Sequence, residues 1–407
     1  MKICAFELMP YRDLPADFEK RYESVWVTPP SDELCDPKQV NRYYHETLDE
    51  LELAGQLGFD GICVNEHHQN AYGFMPSPNL MASTLTRRTQ DVAIVVLGNT
   101  LPLYQPPIRI AEEFAMLDVL SGGRLVAGFP VGTSWDVNYA YGVTPTQTRP
   151  RFYEADKLIM EAWTRKGPFA FNGKFTQLRH VNPWPKPLQK PHPPIWLAGG
   201  GSVETWEFAV EKNYTYNFLS YAGNRFGERM LKGFWETATK MHCDENPYRA
   251  GFLQLVCVSE TDAQAEKDYL EHVLYFYNKC LHLPMHYQME APGYRTKRTI
   301  ENFIKTDQVG EIMRMATMEK SWKTFIENEF IIAGSPATVT EKLTDAIRRL
   351  RIGHLMILTQ IGSMPHELTK KNITLLAKEV LPRIQGIWDG EGWQDTWWPQ
   401  AARRVEQ

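Results

Sequence analysis

The chain reads as an α/β protein of the (β/α)8 barrel class, with long insertions at the carboxyl-terminal mouth of the barrel. Eight short β-branched or apolar runs alternate with longer amphipathic stretches, the pattern of successive strand-helix units around a parallel sheet. The first run leads into Met9-Pro10-Tyr11-Arg12, without the glycine fingerprint that usually follows the first strand of an open doubly wound sheet, the competing architecture. The second run ends in Asn65-Glu66-His67-His68, and in a parallel barrel the carboxyl ends of the strands are where chemistry is done.

The strand candidates are Lys2 to Leu8, Gly61 to Asn65, Val92 to Asn99, Arg124 to Pro130, Ile195 to Ala198, Thr215 to Ser220, Phe252 to Ser259 and His354 to Gln360. Helices are expected at Gln39 to Leu57, Ile108 to Leu120, Phe152 to Trp163, Val203 to Lys212, Phe226 to His242, Ala263 to Leu281, Pro336 to Leu350 and Pro365 to Ile384, each with apolar residues recurring at helical spacing. Three segments exceed what a minimal barrel needs. Met9 to Pro37 follows the first strand. Gly167 to Pro194 holds a hairpin signal at Phe171-Asn172-Gly173-Lys174 and then six prolines from Pro183 onward. His282 to Asn328 interrupts the seventh unit and holds a helix candidate from Gln308 to Met318. Long excursions inside compact domains tend to be lids or binding loops, so the third is expected to cover the barrel mouth, with a dimerisation arm as the alternative. Residues 1–385 are thus expected to form the barrel domain, with a lid at 282–328. The remaining 386–407 form a tail whose four tryptophans have no period and would strap a surface or a neighbouring subunit.

Composition narrows the function. Of 407 residues 43% are hydrophobic, enough for a large core, and 44 basic against 49 acidic residues give a net charge of -5 with no long run of either sign. That leaves no electrostatic footprint for nucleic acid or an anionic membrane, so the expected partners are small molecules. The six cysteines form no C-x-x-C pair, and no run of 18 apolar residues or signal-like N-terminus occurs, which points to a cytoplasmic protein.

Adjacent His67 and His68 raise the possibility of a metal site. Neighbouring side chains of an extended segment point to opposite faces, so the two would not share an ion, and no metal is expected. A single histidine at a strand end remains a candidate for proton transfer, against the alternative of a hydrogen-bonded structural residue. A second candidate site is Leu197-Ala198-Gly199-Gly200-Gly201-Ser202-Val203-Glu204-Thr205, where a strand passes through three glycines into a helix. Backbone N–H groups there, with the Ser202 and Thr205 hydroxyls beside the positive end of the helix, suit a phosphate; a plain turn capped by Ser202 is the alternative. The loop Pro130-Val131-Gly132-Thr133 leaves the mouth after the fourth strand. At Gly98-Asn99 a glycine and an amide interrupt an apolar strand, as they would if a planar ring lay on that backbone and bonded to Asn99.

Taken together these stretches resemble the bacterial luciferase-like, flavin-dependent monooxygenases. The resemblance spans roughly residues 1–384 and is carried by Phe59 to His68, by Leu101-Pro102-Leu103 with Pro106 to Gly128, by Arg151 to Thr164 and by Pro185 to Asn213. It implies a TIM barrel that binds reduced FMN at its mouth and reacts with O2 to give a flavin C4a-(hydro)peroxide, which passes one oxygen atom to a small organic substrate. His67 matches the first histidine of the family's pair and takes the proton role, with Glu66 orienting it. Gly200, Gly201, Ser202 and Thr205, together with Val131, Gly132, Thr133 and Asn99, match or border the cofactor pocket. The family's arginine that reaches the phosphate is replaced by Val131 and a flavin-side cysteine by Pro130, so the phosphate must lean on backbone groups or on Arg149 or Arg151. Tyr11, Tyr72, Phe74 and Tyr287 are the candidate substrate-pocket residues and would suit an aromatic or heteroaromatic molecule, although aromatics serve equally as core fillers. No second nucleotide fingerprint is evident, so reduced flavin would come from a separate NAD(P)H:flavin reductase, and family habit suggests a homodimer. The alternatives within the fold are an F420-dependent hydride-transfer enzyme and a flavin-binding protein without turnover.

Overall fold

A computed structural model describes residues 1–219, 221–284 and 291–402. Eight parallel strands close into a barrel: β1 (Lys2–Phe6), β2 (Gly61–Val64), β3 (Ala93–Val96), β4 (Leu125–Gly128), β7 (Ile195–Gly199), β8 (Thr215–Phe218), β9 (Ala250–Val258) and β11 (His354–Leu358). Each pairs with the next in that order, and β11 closes on β1 with Lys2 opposite His354 and Phe6 opposite Leu358. The hairpin expected near Gly173 is present as antiparallel β5 (Phe169–Asn172) and β6 (Gln177–Val181), outside the barrel.

The alternation of side chains along the strands explains two cores. Cys4, Cys63, Val95, Val126, Trp196, Leu253 and Met356 fall in one cluster and fill the lumen. Ile3, Ala5, Ile62, Val64, Ile94 and Val96 fall in the other, against helix residues such as Leu48, Leu51, Ala54 and Phe114. Strands buried on both faces read as continuous apolar runs, which is why the sequence marks them so plainly.

Two elements differ from expectation. A ninth parallel strand, β10 (Ile331–Gly334), pairs with the outer half of β9, Ile331 opposite Leu255 and Gly334 opposite Val258. The helix of the second unit, Pro78–Arg88, is rich in Ser and Thr and shows only a narrow apolar face of Met81, Ala82 and Leu85. The tail packs on its own barrel. Trp398 stacks on His354 at 5.8 Å and lies 6.0 Å from Trp196, and Lys2 Nζ sits 5.4 Å above its ring, so it seals the amino-terminal base of the barrel. Among the described residues no helix is long and apolar enough to cross a membrane.

Candidate active site

At the opposite end the strand termini and their loops enclose a cavity of ≈ 270 Å³, bordered by Phe6, Leu97, Ala198 and Leu219 at its floor. Its polar groups fall into two sets.

The first set surrounds His67. The loop after β4 turns back toward β2 and brings Asp136 to it, Oδ2 lying 3.0 Å from His67 Nδ1. Asp136 is itself fixed: Oδ1 accepts the His68 N–H at 2.9 Å and Oδ2 the Thr133 hydroxyl at 2.9 Å. Burial alone would raise the Asp136 pKa, but the neighbouring His67 charge and these donated hydrogen bonds together hold it below the usual carboxylate value. With Asp136 accepting the Nδ1 proton, His67 Nε2 is the ring nitrogen left without a hydrogen-bond partner among the described residues. The Tyr72 ring meets the imidazole edge-on at 4.7 Å, and the Tyr72 hydroxyl bonds to that of Tyr221 at 2.8 Å.

Glu66 does not orient His67. Its carboxylate accepts the Thr100 N–H at 2.6 Å and the Tyr104 hydroxyl, and lies 3.3 Å from His68 Nε2. Burial, followed by the Glu66 charge, pushes the Tyr104 phenol far above its usual pKa, so Tyr104 stays a donor. Glu66 therefore ties the loops after β2 and β3 together, and the orienting carboxylate is Asp136. Nothing in the sequence marks Asp136 beyond its place just past a strand-end loop.

The second set lies where β7 enters the helix Val203–Lys212. Arg149 donates to Ser202 Oγ at 2.9 Å and Thr205 Oγ1 at 3.3 Å, while its Nε is buried without a partner among the described residues. Gly200 borders the cavity, and a Cβ built on it would meet nothing within 4 Å. Arg295 and Thr299 close this end from the third excursion. A guanidinium with an unspent donor, two hydroxyls and open space over a glycine fit a phosphate monoester. Ser202 occupies the cap position of the helix but makes no side-chain capping bond, its hydroxyl turning instead to Glu204 Oε2 at 3.0 Å.

Other expected residues are placed as follows. Val131, Gly132, Thr133 and Tyr72 border the cavity, with Thr133 spent on Asp136. Gly201 does not: it has φ +86°, lies against Met230 and donates its N–H to the Tyr216 hydroxyl at 3.2 Å. Asn99 faces away, exchanging hydrogen bonds with Asn79 at 2.7 and 2.9 Å. Gly98 borders the cavity, and a Cβ there would overlap the Gly128 carbonyl. Arg151 bonds to Gln147 instead of bordering the cavity. Tyr11 and Phe74 border a neighbouring hollow, and Tyr287 lies outside the described residues. Among the described residues no three His, Cys, Asp or Glu side chains are grouped to hold a metal ion.

Known proteins agree with this architecture. A family model described as luciferase-like monooxygenase matches residues 25–352. The oxygenase component of a flavin-dependent trigonelline monooxygenase from Acinetobacter baylyi is 28% identical over 218 residues, 53% of this chain and 59% of that protein. The oxygenating constituent of 3,6-diketocamphane monooxygenase from Pseudomonas putida, solved with FMN, shares the fold with a TM-score of 0.67 at 18% identity, over 94% of this chain and 98% of that one. An F420-dependent secondary alcohol dehydrogenase does so at 0.63 and 17%, over 94% and 98%. With the match extending from the first excursion through the last helix before β11, the chain belongs to the luciferase-like monooxygenase family.

Proposed function

We propose that the protein is the oxygenase of a two-component system, using reduced FMN delivered by a separate reductase, and O2, to oxygenate a small organic molecule. The observation that carries this is one cavity with an anion-accepting end at Arg149, Ser202 and Thr205 and an oriented imidazole, His67 on Asp136, at the other. Arg149 takes the place of the family's missing phosphate-binding arginine. Reduced FMN, when bound, supplies the electrons that activate O2.

The rest falls to the chain. Arg149, Ser202, Thr205 and the open face of Gly200 hold the phosphate. His67 Nε2 gives and takes a proton at the reacting end, and Asp136 keeps the ring turned toward it. Tyr72 and Tyr221 form an aromatic wall there, and the third excursion, whose Tyr294, Arg295 and Thr299 border the cavity, acts as a lid that keeps water out.

The test is to titrate the protein with oxidised FMN, then supply reduced FMN and a panel of neutral and charged organics under isotopically heavy dioxygen. The expected result is tight FMN binding and a product that gains one heavy oxygen atom. Hydride transfer from reduced F420 without oxygen uptake would instead make it the dehydrogenase-type enzyme. FMN binding that persists, with no consumption of oxygen beyond that of free flavin for any substrate, would make it a carrier.

A further inference from the structure

Arg149 and His67 both line the cavity just described. Beside it the first excursion and the loop after β2 enclose a second hollow of ≈ 410 Å³. Tyr11, Leu14, Leu34, Cys35, Tyr44 and Phe74 supply most of its wall, and Ser31, Gln69 and Pro76 form an exposed rim. Among the described residues His67 alone borders both spaces. Gly73 packs against its imidazole: a Cβ there would stand 3.0 Å from His67 Cδ2, so a larger residue at 73 would crowd the ring.

The chemistry of the wall is uniform. None of the described lining residues is Asp, Glu, Lys or Arg. Its polar groups are mostly spent within the protein: the Tyr44 hydroxyl donates to the Phe74 carbonyl at 2.6 Å, Asn70 Oδ1 accepts the Tyr72 and Gly73 N–H groups, and Asn70 Nδ2 donates to the His68 carbonyl at 2.7 Å. Tyr11 and Phe74 lie 5.6 Å apart at 33° and present ring faces and edges to the space. The wall offers an entering carboxylate or ammonium no Asp, Glu, Lys or Arg to pair with, whereas a neutral ring would exchange water for aromatic and aliphatic surface.

We infer that this hollow is the substrate chamber, and that it takes an uncharged, ring-bearing molecule whose reacting atom meets the cofactor cavity at His67. The inference rests on the oxygenase reading above and adds the place and charge of the substrate. It is tested with the full chain loaded with oxidised FMN, by fluorine NMR titration with para-fluoroacetophenone and para-fluorobenzoate, which are alike in size and differ in charge. The neutral ketone should bind at least about tenfold more tightly than the anion. Leu34→Trp, which fills the hollow from its outer side, should weaken the ketone about tenfold while FMN binding, followed by flavin fluorescence, and thermal stability stay unchanged. Leu34→Arg should narrow or reverse the preference for the ketone over benzoate. Equal binding of the two probes, ketone binding indifferent to Leu34→Trp, or no binding of either probe to FMN-loaded protein would overturn the inference and leave the oxygenase reading standing. Failure of the wild-type chain to bind FMN would overturn the oxygenase reading instead.

Discussion

Asp136 is 69 positions from His67 in the chain and holds its ring through Nδ1. If it stabilises one tautomer, Asp136→Asn should lower turnover about a hundredfold, within the usual share of general acid-base catalysis, and leave the FMN dissociation constant unchanged. His67→Ala should cost about as much, and the double variant little more, because the two act as a unit; additive losses would separate them. His67 is legible from sequence because the strand that ends in it is local. Asp136 is not, since only the return of the loop after β4 brings it near, and Glu66 is the neighbour that sequence proximity favours. A second carboxylate illustrates the opposite electrostatic sign. Burial lifts Asp156 from 3.8 to about 6, with only partial relief from the Tyr214 hydroxyl at 3.0 Å and from Lys212. The folded protein then holds this proton more tightly than the unfolded chain, so stability falls as pH rises from about 4 to about 6 and stays lower above, by up to about 3 kcal/mol. Asp156→Asn keeps an acceptor for Tyr214 without the charge. It should raise the urea midpoint near pH 8 and change it little near pH 4; equal gains at both would contradict this account.

Among the elements, the start of the helix Val203–Lys212 joins Arg149 to the third excursion. Arg149 reaches Ser202 and Thr205 there, while Glu204 accepts hydroxyl bonds from Thr296 at 2.6 Å and Thr299 at 2.7 Å in the third excursion. Burial pushes the Glu204 carboxyl upward, but these hydroxyls outweigh it and bring the pKa down to about 2. A depressed pKa means the latch contributes in full above about 4.5 and is lost only as pH falls toward 2, so lid closure should not vary across neutral pH. Glu204→Gln should speed trypsin cleavage at Arg295, Lys297 and Arg298 several-fold near pH 7.5; an unchanged rate would show that the latch does not hold the lid. Arg149→Met should weaken FMN binding about 10- to 100-fold, the loss expected of charge-assisted hydrogen bonds, with Arg149→Lys intermediate. The glycine triplet was legible because three glycines before a helix start are unusual. Its finer division was not: Gly201 is claimed by Tyr216 and Met230, and only the packing of β7 against β8 decides which N–H groups remain free. The short strand β10 escaped for a related reason, as Ile331-Ile332-Ala333-Gly334 is an apolar run no different from the start of a helix until it finds an edge of β9.

At the scale of the whole molecule the barrel works at one end and is closed at the other. Phe6, the last residue of β1, borders the cavity, while Lys2, the first, meets the tail through Trp398. The strand register that makes the barrel legible from its apolar runs does not say which end the tryptophans of the tail will cover, because those residues follow no period. They are held by indole N–H bonds to backbone carbonyls, Trp397 to Asn213 at 2.9 Å and Trp388 to Ile352 at 2.8 Å, and by the stack of Trp398 on His354. A Cβ on Gly61 would approach Trp398 to 3.0 Å, so the indole fills the base of the lumen with little room to spare. Trp398→Ala should therefore open a cavity there and destabilise the fold by about 3 kcal/mol or more, read as a lower denaturant midpoint at unchanged slope. Because the tail docks on its own barrel, that loss should be the same at low and high protein concentration, and FMN affinity at the far end should not change below the unfolding transition. A loss that vanishes on dilution would instead assign the tryptophans to a neighbouring subunit.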